Sequence, residues 1–292
     1  MKRADFIKTL GMAIVTTPLL GLNDFKKSVD NSAPAAKAPV LFIGHGNPMN
    51  ALNDNSFTQR LNKLGTKLEK PKAILVVSAH WLTRGTWVAT TPTPETIHDF
   101  GGFPQELFDV QYPAKGSPEL AKETIELLKS KTTVGEDTEW GLDHGAWSVL
   151  KHLYPAADIP VFQLSIDYYQ TPQYHYDLAK YLSSLRDKGV MILGSGNIVH
   201  NLRQVDFRNE NAKFDWAIEF DEVVKKYLNE RNHQGLIDYN KLGTAATLSV
   251  PTNDHYLPLL YTLALQGEKE EAVHLYESIE HGSLSMRCVQ FG

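Results

Sequence analysis

Among 292 residues the sequence holds one cysteine, Cys288. That excludes an internal disulfide and any thiolate-rich zinc knuckle, so a bound metal would have to be held by nitrogen and oxygen. Basic residues are not in surplus. Lys+Arg number 29 against 34 Asp+Glu, a net charge of −5. Without a cationic excess to neutralise phosphates, the composition points to no nucleic-acid partner. Gly 20 and Pro 15 are too few for a collagen-like or low-complexity chain. With 42% hydrophobic and 22% charged residues, the chain reads as globular rather than disordered.

The start differs from the rest. Lys2, Arg3 and Lys8 precede an apolar stretch from Leu10 to Leu22. A charged start followed by a short apolar run predicts a signal peptide over residues 1–22 and export to the periplasm. The run is too short for a stable membrane span. Lys2-Arg3 followed by Asp5-Phe6-Ile7-Lys8 is similar to a twin-arginine signal with Lys in the first Arg position. If the segment is not a signal, the chain is cytoplasmic. Residues 23–38, polar with Ala and Pro, read as a linker, leaving 39–292 as one catalytic domain.

From Pro39 onward, short apolar runs alternate with amphipathic stretches. Val40–Ile43, Ala73–Ser78, Thr86–Thr90, Pro160–Leu164 and Gly189–Leu193 read as strands. Residues 56–68, 118–129, 144–153, 172–186, 213–229 and 256–265 have helical spacing, and the tail returns as a strand. This alternation predicts a single α/β domain with a mostly parallel or mixed central sheet and helices on both faces. In open sheets of this kind, sites lie beyond the carboxyl ends of the strands.

Histidines sit at those ends. The first strand runs into Gly44-His45-Gly46-Asn47-Pro48 and the second into Ser78-Ala79-His80-Trp81. The strand at 189–193 leads through Gly194-Ser195-Gly196-Asn197 to His200. Asn253-Asp254-His255-Tyr256 precedes one helix, and Leu142-Asp143-His144-Gly145 opens another. One histidine would signify little, but five at element ends beside Gly, Asn or Asp predict a His-ligated metal site. Imidazole suits zinc, iron, copper or nickel, and a site without thiolates reads as catalytic rather than structural. His98, His152, His175, His233, His274 and His281 lie in polar or helical surroundings.

Other readings of these segments are weaker. Gly194-Ser195-Gly196 is neither a nucleophile elbow nor a phosphate loop, so Ser195 as nucleophile with His200 as base is a minor alternative. Cys288 beside Arg287 reads as packed. Asp99 to Pro104 (DFGGFP) reads equally as a tight turn or a substrate-facing loop. Trp147, Tyr168 and Tyr169 read as core, whereas Trp81 and Tyr256 adjoin the proposed ligands and are candidates to line a pocket. Asn47, Asn197 and Asp254 are candidates to orient the imidazoles. Arg203 and Arg287 are candidates to fix a substrate carboxylate.

Seven segments in order carry a resemblance: FIGHGNPMNAL, ILVVSAHW, IHDFGGFP, LDHGAW, GSGNIVHNL, NDHYLPLLY and the ending GSLSMRCVQFG. Together, from about residue 39 to 292, they resemble the class III extradiol ring-cleaving dioxygenases, in the branch similar to DOPA 4,5-dioxygenase. The resemblance implies a metal-dependent enzyme that opens a catechol-type ring with O₂. It implies one divalent metal per chain, Zn²⁺ or Fe²⁺, bound at His45, His80, His200 and His255, with His144 assisting proton transfer or binding substrate. In better-known relatives two histidines and a carboxylate hold Fe(II), and here His255 stands where that carboxylate is expected. Members of this branch are often described with zinc. Within that set His45, His80 and His255 are the expected primary ligands, and His200 is either a fourth ligand or the catalytic base. The same donors would also serve a zinc hydrolase or a non-catalytic metal- or small-molecule-binding protein. Oligomeric state is not legible.

Overall fold

The computed structural model describes residues 37–292, which form one compact unit. The expected signal 1–22 and the linker through residue 36 lie outside the described residues. Among the described residues no helix is long and apolar enough to cross a membrane.

The strands, in chain order, are β1 (Val40–Gly44), β2 (Ala73–Ser78), β3 (Leu82–Thr83), β4 (Thr86–Ala89), β5 (Val134–Asp137), β6 (Val161–Gln163), β7 (Ile166–Asp167), β8 (Val190–Gly196), β9 (Val273–Tyr276), β10 (Ile279–Glu280), β11 (Leu284–Ser285) and β12 (Cys288–Phe291). Six of them form the central sheet in the order β6-β2-β8-β1-β12-β9. The four at one side, β6 to β1, are mutually parallel, and β12 pairs antiparallel with both β1 and β9. The sheet is therefore mixed, as the α/β pattern predicts.

The unbroken apolar runs follow from burial on both faces. Val40, Phe42, Leu75, Val77, Val190 and Ile192 point to one side. They meet the helices Pro118–Lys129, Asp215–Asn229 and Leu257–Leu263. Leu41, Ile43, Ile74, Val76, Met191 and Leu193 point to the other, against the helices Ser56–Lys67 and His144–Leu153. The helix Ser56–Lys67 shows why these segments are helical. Asn55 caps it in a reciprocal capping box with Thr58, and its buried Phe57, Leu61 and Leu64 recur at helical spacing.

Three expectations need correction. The strand at Thr86 ends at Ala89 and lies outside the central sheet, paired with β5. The helix expected over 172–186 comes in three pieces, Pro172–Ala179, a 3₁₀ turn at Lys180–Leu182 and Ser183–Asp187; Leu178, Leu182 and Leu185 remain buried in each. The strand expected to end at Leu193 continues through Gly196, because Gly194, Ser195 and Gly196 pair with both or one of its neighbours.

Candidate active site

Register sets the site. Ser195 on the central strand β8 pairs with Ile43 on β1 and with Ser78 on β2, so three parallel strands end at one level. His45 is the first residue beyond β1, and His80 lies two beyond β2. His200 follows β8 after a short turn and is held by its backbone N–H to Ser249 O at 2.9 Å. His255 is drawn in from the opposite side, its carbonyl accepting from Asn197 N–H at 2.9 Å. A glycine permits that approach: a Cβ on Gly196 would lie 2.2 Å from the His255 carbonyl oxygen.

The imidazoles of His45, His80 and His255 converge, with one ligand nitrogen from each within 4.8 Å of the others. Nε2 of His45 and Nε2 of His80 are 3.2 Å apart. Each ring has an oxygen beside its other nitrogen. Nδ1 of His45 is 2.9 Å from Ser195 Oγ, which itself donates to Gly145 O at 2.6 Å and therefore accepts from His45. Nδ1 of His255 donates to Asp254. Nδ1 of His80 lies 3.3 Å from Asp99 Oδ2. With the proton on Nδ1 in each ring, three Nε2 lone pairs are left facing a common point. Burial holds His45 and His80 well below the usual histidine range, and the neighbouring histidines push them further down. Both rings are thus neutral near pH 7, as metal ligands must be.

His200 stacks on His255, with ring centroids 3.4 Å apart and planes 6° from parallel. One of its ring nitrogens groups with a carboxylate oxygen of Asp254 and a ring nitrogen of His255 rather than with the His45–His80 pair. Burial, reinforced by His255, lowers its pKa to about 2.

His144 opens its helix on the far side of His80, their ring centroids 3.9 Å apart. Asp99 grips it twice: Oδ2 accepts from Nδ1 at 2.9 Å and Oδ1 from the backbone N–H at 2.9 Å. Burial alone would raise the Asp99 carboxyl, but the hydrogen bond and charge of His144 outweigh it and hold it below its usual value. Beneath, the fully buried Asp143 caps the helix and accepts from Ser78 Oγ at 2.6 Å and Gln163 Nε2 at 2.7 Å. That carboxylate joins β2, β6 and the helix that carries His144. Gly145 keeps the junction tight, since a Cβ there would lie 2.5 Å from Ser78 Oγ and 3.0 Å from His80.

His45, His80, His144, His200 and His255 all line one cavity of about 270 Å³, with Asp99, Phe100 and Phe103. The Asp99–Pro104 segment is therefore a wall of the site. Several expected helpers stand elsewhere. Trp81 stacks on Trp140 at 5.1 Å, and Tyr256 is fully buried with its hydroxyl donated to Leu236 O. Neither lines the cavity, because both rings are taken up by packing. Asn197 donates to Ser285 O rather than to an imidazole; Asn47 does line the cavity, but its Oδ1 accepts from Met49 N–H and caps the turn there. Arg287 is buried among Asp221, Glu222 and Glu277, so its charge is already matched. Arg203 is exposed and outside the cavity lining. Ser195 is no nucleophile for His200; its hydroxyl is spent on His45 and Gly145. The sequence reading missed Ser195, Asp99 and Asp143 as orienting groups, although each stands in one of the quoted segments.

A family described as the catalytic LigB subunit of aromatic ring-opening dioxygenase matches residues 40–286. A protein of Escherichia coli K12 named 4,5-DOPA dioxygenase extradiol is 48% identical over 263 residues, 88% of this chain and 96% of that one. One of the same name from Beta vulgaris is 36% identical over 257 residues, 86% of this chain and 96% of that one. The crystal structure of an uncharacterized protein from Escherichia coli K12 superposes with a TM-score of 0.77 at 45% identity, covering 88% of this chain and all of the other.

Proposed function

The chain belongs to the LigB family of class III extradiol dioxygenases, and we propose that it opens the ring of a catechol-type substrate with O₂ at one divalent metal ion held by His45, His80 and His255. The observation that carries this is the convergence of three imidazoles, one ligand nitrogen from each within 4.8 Å of the others, with an oxygen beside each Nδ1. Two nitrogens bound to one ion at about 2.0–2.1 Å are about 3.0–3.4 Å apart. The 3.2 Å between His45 and His80 fits such a pair, and without a cation those lone pairs would repel. In that position Fe(II) would supply a Lewis-acid anchor for the catechol oxygens and the redox change that lets O₂ react, which zinc lacks.

The remaining tasks fall to the chain. His144 is best placed to take a hydroxyl proton at Nε2, because Asp99 at Nδ1 stabilises the imidazolium that results. Among the described residues no carboxylate pairs with His200 within 4 Å. His200 then serves as a neutral hydrogen-bonding wall beside His255 rather than as the principal base. Phe100 and Phe103, edge to face at 5.3 Å, exclude water from that side of the ring.

The test is oxygen uptake by the full chain, stripped of metal and reloaded anaerobically with Fe(II), against a panel of catechols. Uptake with a new yellow chromophore, absent from the zinc-loaded protein, is the expected result. No uptake from any catechol at full iron occupancy would refute the reading. Residues 1–22 support the accompanying proposal of export, which mass measurement of the mature chain from a periplasmic extract would check by loss of that segment.

A further inference from the structure

The loop that follows His200 contains two turns of the same pattern. In Asn201-Leu202-Arg203-Gln204 the Gln204 N–H donates to Asn201 O at 3.1 Å, and Asn201 Oδ1 accepts from the Arg203 N–H at 3.1 Å. In Asp206-Phe207-Arg208-Asn209 the Asn209 N–H donates to Asp206 O at 3.2 Å, and Asp206 Oδ1 accepts from the Arg208 N–H at 3.0 Å. Side-chain oxygens that hold the backbone two residues on fix both turns. Each turn therefore presents a large apolar side chain followed by an arginine. Leu202 and Phe207, 57% and 68% exposed, line the histidine cavity at its mouth. The loop is pinned to the chain beside it at Asp206 N–H to His281 O (2.8 Å), at Phe214 N–H to Gly282 O (3.1 Å) and at Asn201 O by Ser283 Oγ (2.9 Å). Arg203 and Arg208 are exposed. Among the described residues neither guanidinium has an ion-pair or hydrogen-bond partner; only their backbone N–H groups are engaged.

Inside the cavity the charges are arranged the other way. No Lys or Arg is among its lining residues, and its one carboxylate, Asp99, is held by His144. A carboxylate carried inward would be stripped of water, unpaired and near a like charge. A carboxylate left at the mouth meets two unpaired arginines. Their planar forks match its geometry, and their stems can lie along Leu202 and Phe207. We propose that Arg203 and Arg208 are specificity-determining residues that receive the carboxylate of a short acidic side chain on the catechol ring. The diol end enters the histidine cluster, and the methylenes of the side chain rest on Leu202 and Phe207. Because the loop is fixed before substrate arrives, little ordering offsets the gain. This assignment rests on the extradiol reading of the histidine cluster and names the residues that select among its substrates.

The test pairs 3-(3,4-dihydroxyphenyl)propionate with its amide, which has the same shape without the charge. Each is titrated into the Fe(II)-loaded full chain without oxygen, at low and at high salt, and O₂ uptake is then followed. The propionate should bind about fivefold more tightly than the amide at low salt, as one or two solvent-exposed ion pairs give. That preference should shrink at high salt. Arg203→Gln and Arg208→Gln should each reduce it, and the double variant should remove it. Arg203→Lys and Arg208→Lys keep the charge without the fork and should fall between parent and glutamine. Both positions are exposed, so the variants should fold. Equal binding of the two compounds by the parent chain, tighter binding of the amide, or a preference that survives in the double glutamine variant would overturn the proposal. Turnover of both compounds without preference would overturn it and leave the extradiol reading intact. The expected preference without any O₂ uptake would support the arginines and overturn the extradiol reading. No binding of either compound would overturn the proposal, and if unsubstituted catechol also gave no uptake the extradiol reading would fall with it.

Discussion

Ser195→Ala removes one oxygen atom from the centre of the sheet and nothing else. In the parent chain Ser195 Oγ accepts from His45 Nδ1 at 2.9 Å and donates to Gly145 O at 2.6 Å, all within a dry interior. The alanine leaves both partners without their bond. An unsatisfied buried polar group costs about 1–3 kcal/mol, so a loss of roughly 2–4 kcal/mol is expected for the pair in the metal-free chain. The effect on metal should be separate. Without an acceptor at Nδ1, the His45 proton is free to move to Nε2, which is the atom that faces His80. Loss of such an orienting partner lowers metal affinity by about 10–100-fold. Urea unfolding of the metal-free variant measures the first quantity, and competition with a chelator of known affinity measures the second. Parent-like metal affinity in a variant that shows the stability loss would refute the argument that Ser195 fixes the His45 tautomer.

Gly196→Ala should disturb the same site from the backbone, because its Cβ would meet the His255 carbonyl oxygen at 2.2 Å. A melting temperature lowered by the equivalent of about 1–3 kcal/mol, with reduced metal content, is the expected result. Asp99→Asn keeps the shape but removes the charge that supports His144, so kcat at saturating catechol should fall by about 10²-fold or more; an unchanged kcat would remove His144 from the proton-transfer role. Arg287→Met should cost about 3–5 kcal/mol by leaving Asp221 buried and unmatched. Residual folded protein should bind carboxylated and neutral catechols in the parent ratio, which anisotropy or calorimetric titration can read. For pH, His175 offers a well-isolated group. It is buried against the Tyr261 hydroxyl at 2.9 Å, and burial lowers its pKa to about 4 despite the opposing charge of Asp167. The unfolded chain binds that proton from about pH 6.5 downward while the folded chain stays neutral, so this stability is present above about 6.5 and lost as pH falls toward 4. The loss is about 3 kcal/mol. His175→Gln should remove that part of the slope in urea unfolding at a series of pH values, and an unaltered slope would contradict it.

The parallel part of the fold was legible because its strands are buried on both faces. Val40–Ile43 and Ala73–Val77 are unbroken apolar runs, and each ends at a turn bearing a histidine. The amphipathic helices were legible for the same reason, their buried residues recurring at helical spacing. What failed was pairing. Nothing in Thr86–Ala89 says that it joins β5 rather than the central sheet, since alternation reports burial and not partner. Nor does a glycine-rich end such as Gly194–Gly196 announce that it still belongs to its strand; its glycines are there because Pro258, Thr262 and His255 press close.

The site shows a similar division. All five histidines at element ends line one cavity, because strand ends of a parallel sheet converge whatever the loops between them contain. The groups that orient them were harder to see, since each comes from far along the chain. Ser195 serves His45 across 150 residues, and Asp99 serves His144 across 45. Only Asp254, adjacent to His255, could be paired by sequence alone. The consequence is physical as well as diagnostic. Neutral imidazoles turned on one another in a dry pocket disfavour the metal-free fold, and their distant oxygen partners hold them there against that repulsion. A cation at the common point of the three Nε2 atoms relieves the repulsion that the oxygen partners impose. Metal affinity and the stability of strands β1, β2 and β8 at their carboxyl ends are therefore two readings of one arrangement, and a substitution that relaxes the orienting oxygens should weaken the first even where it spares the second.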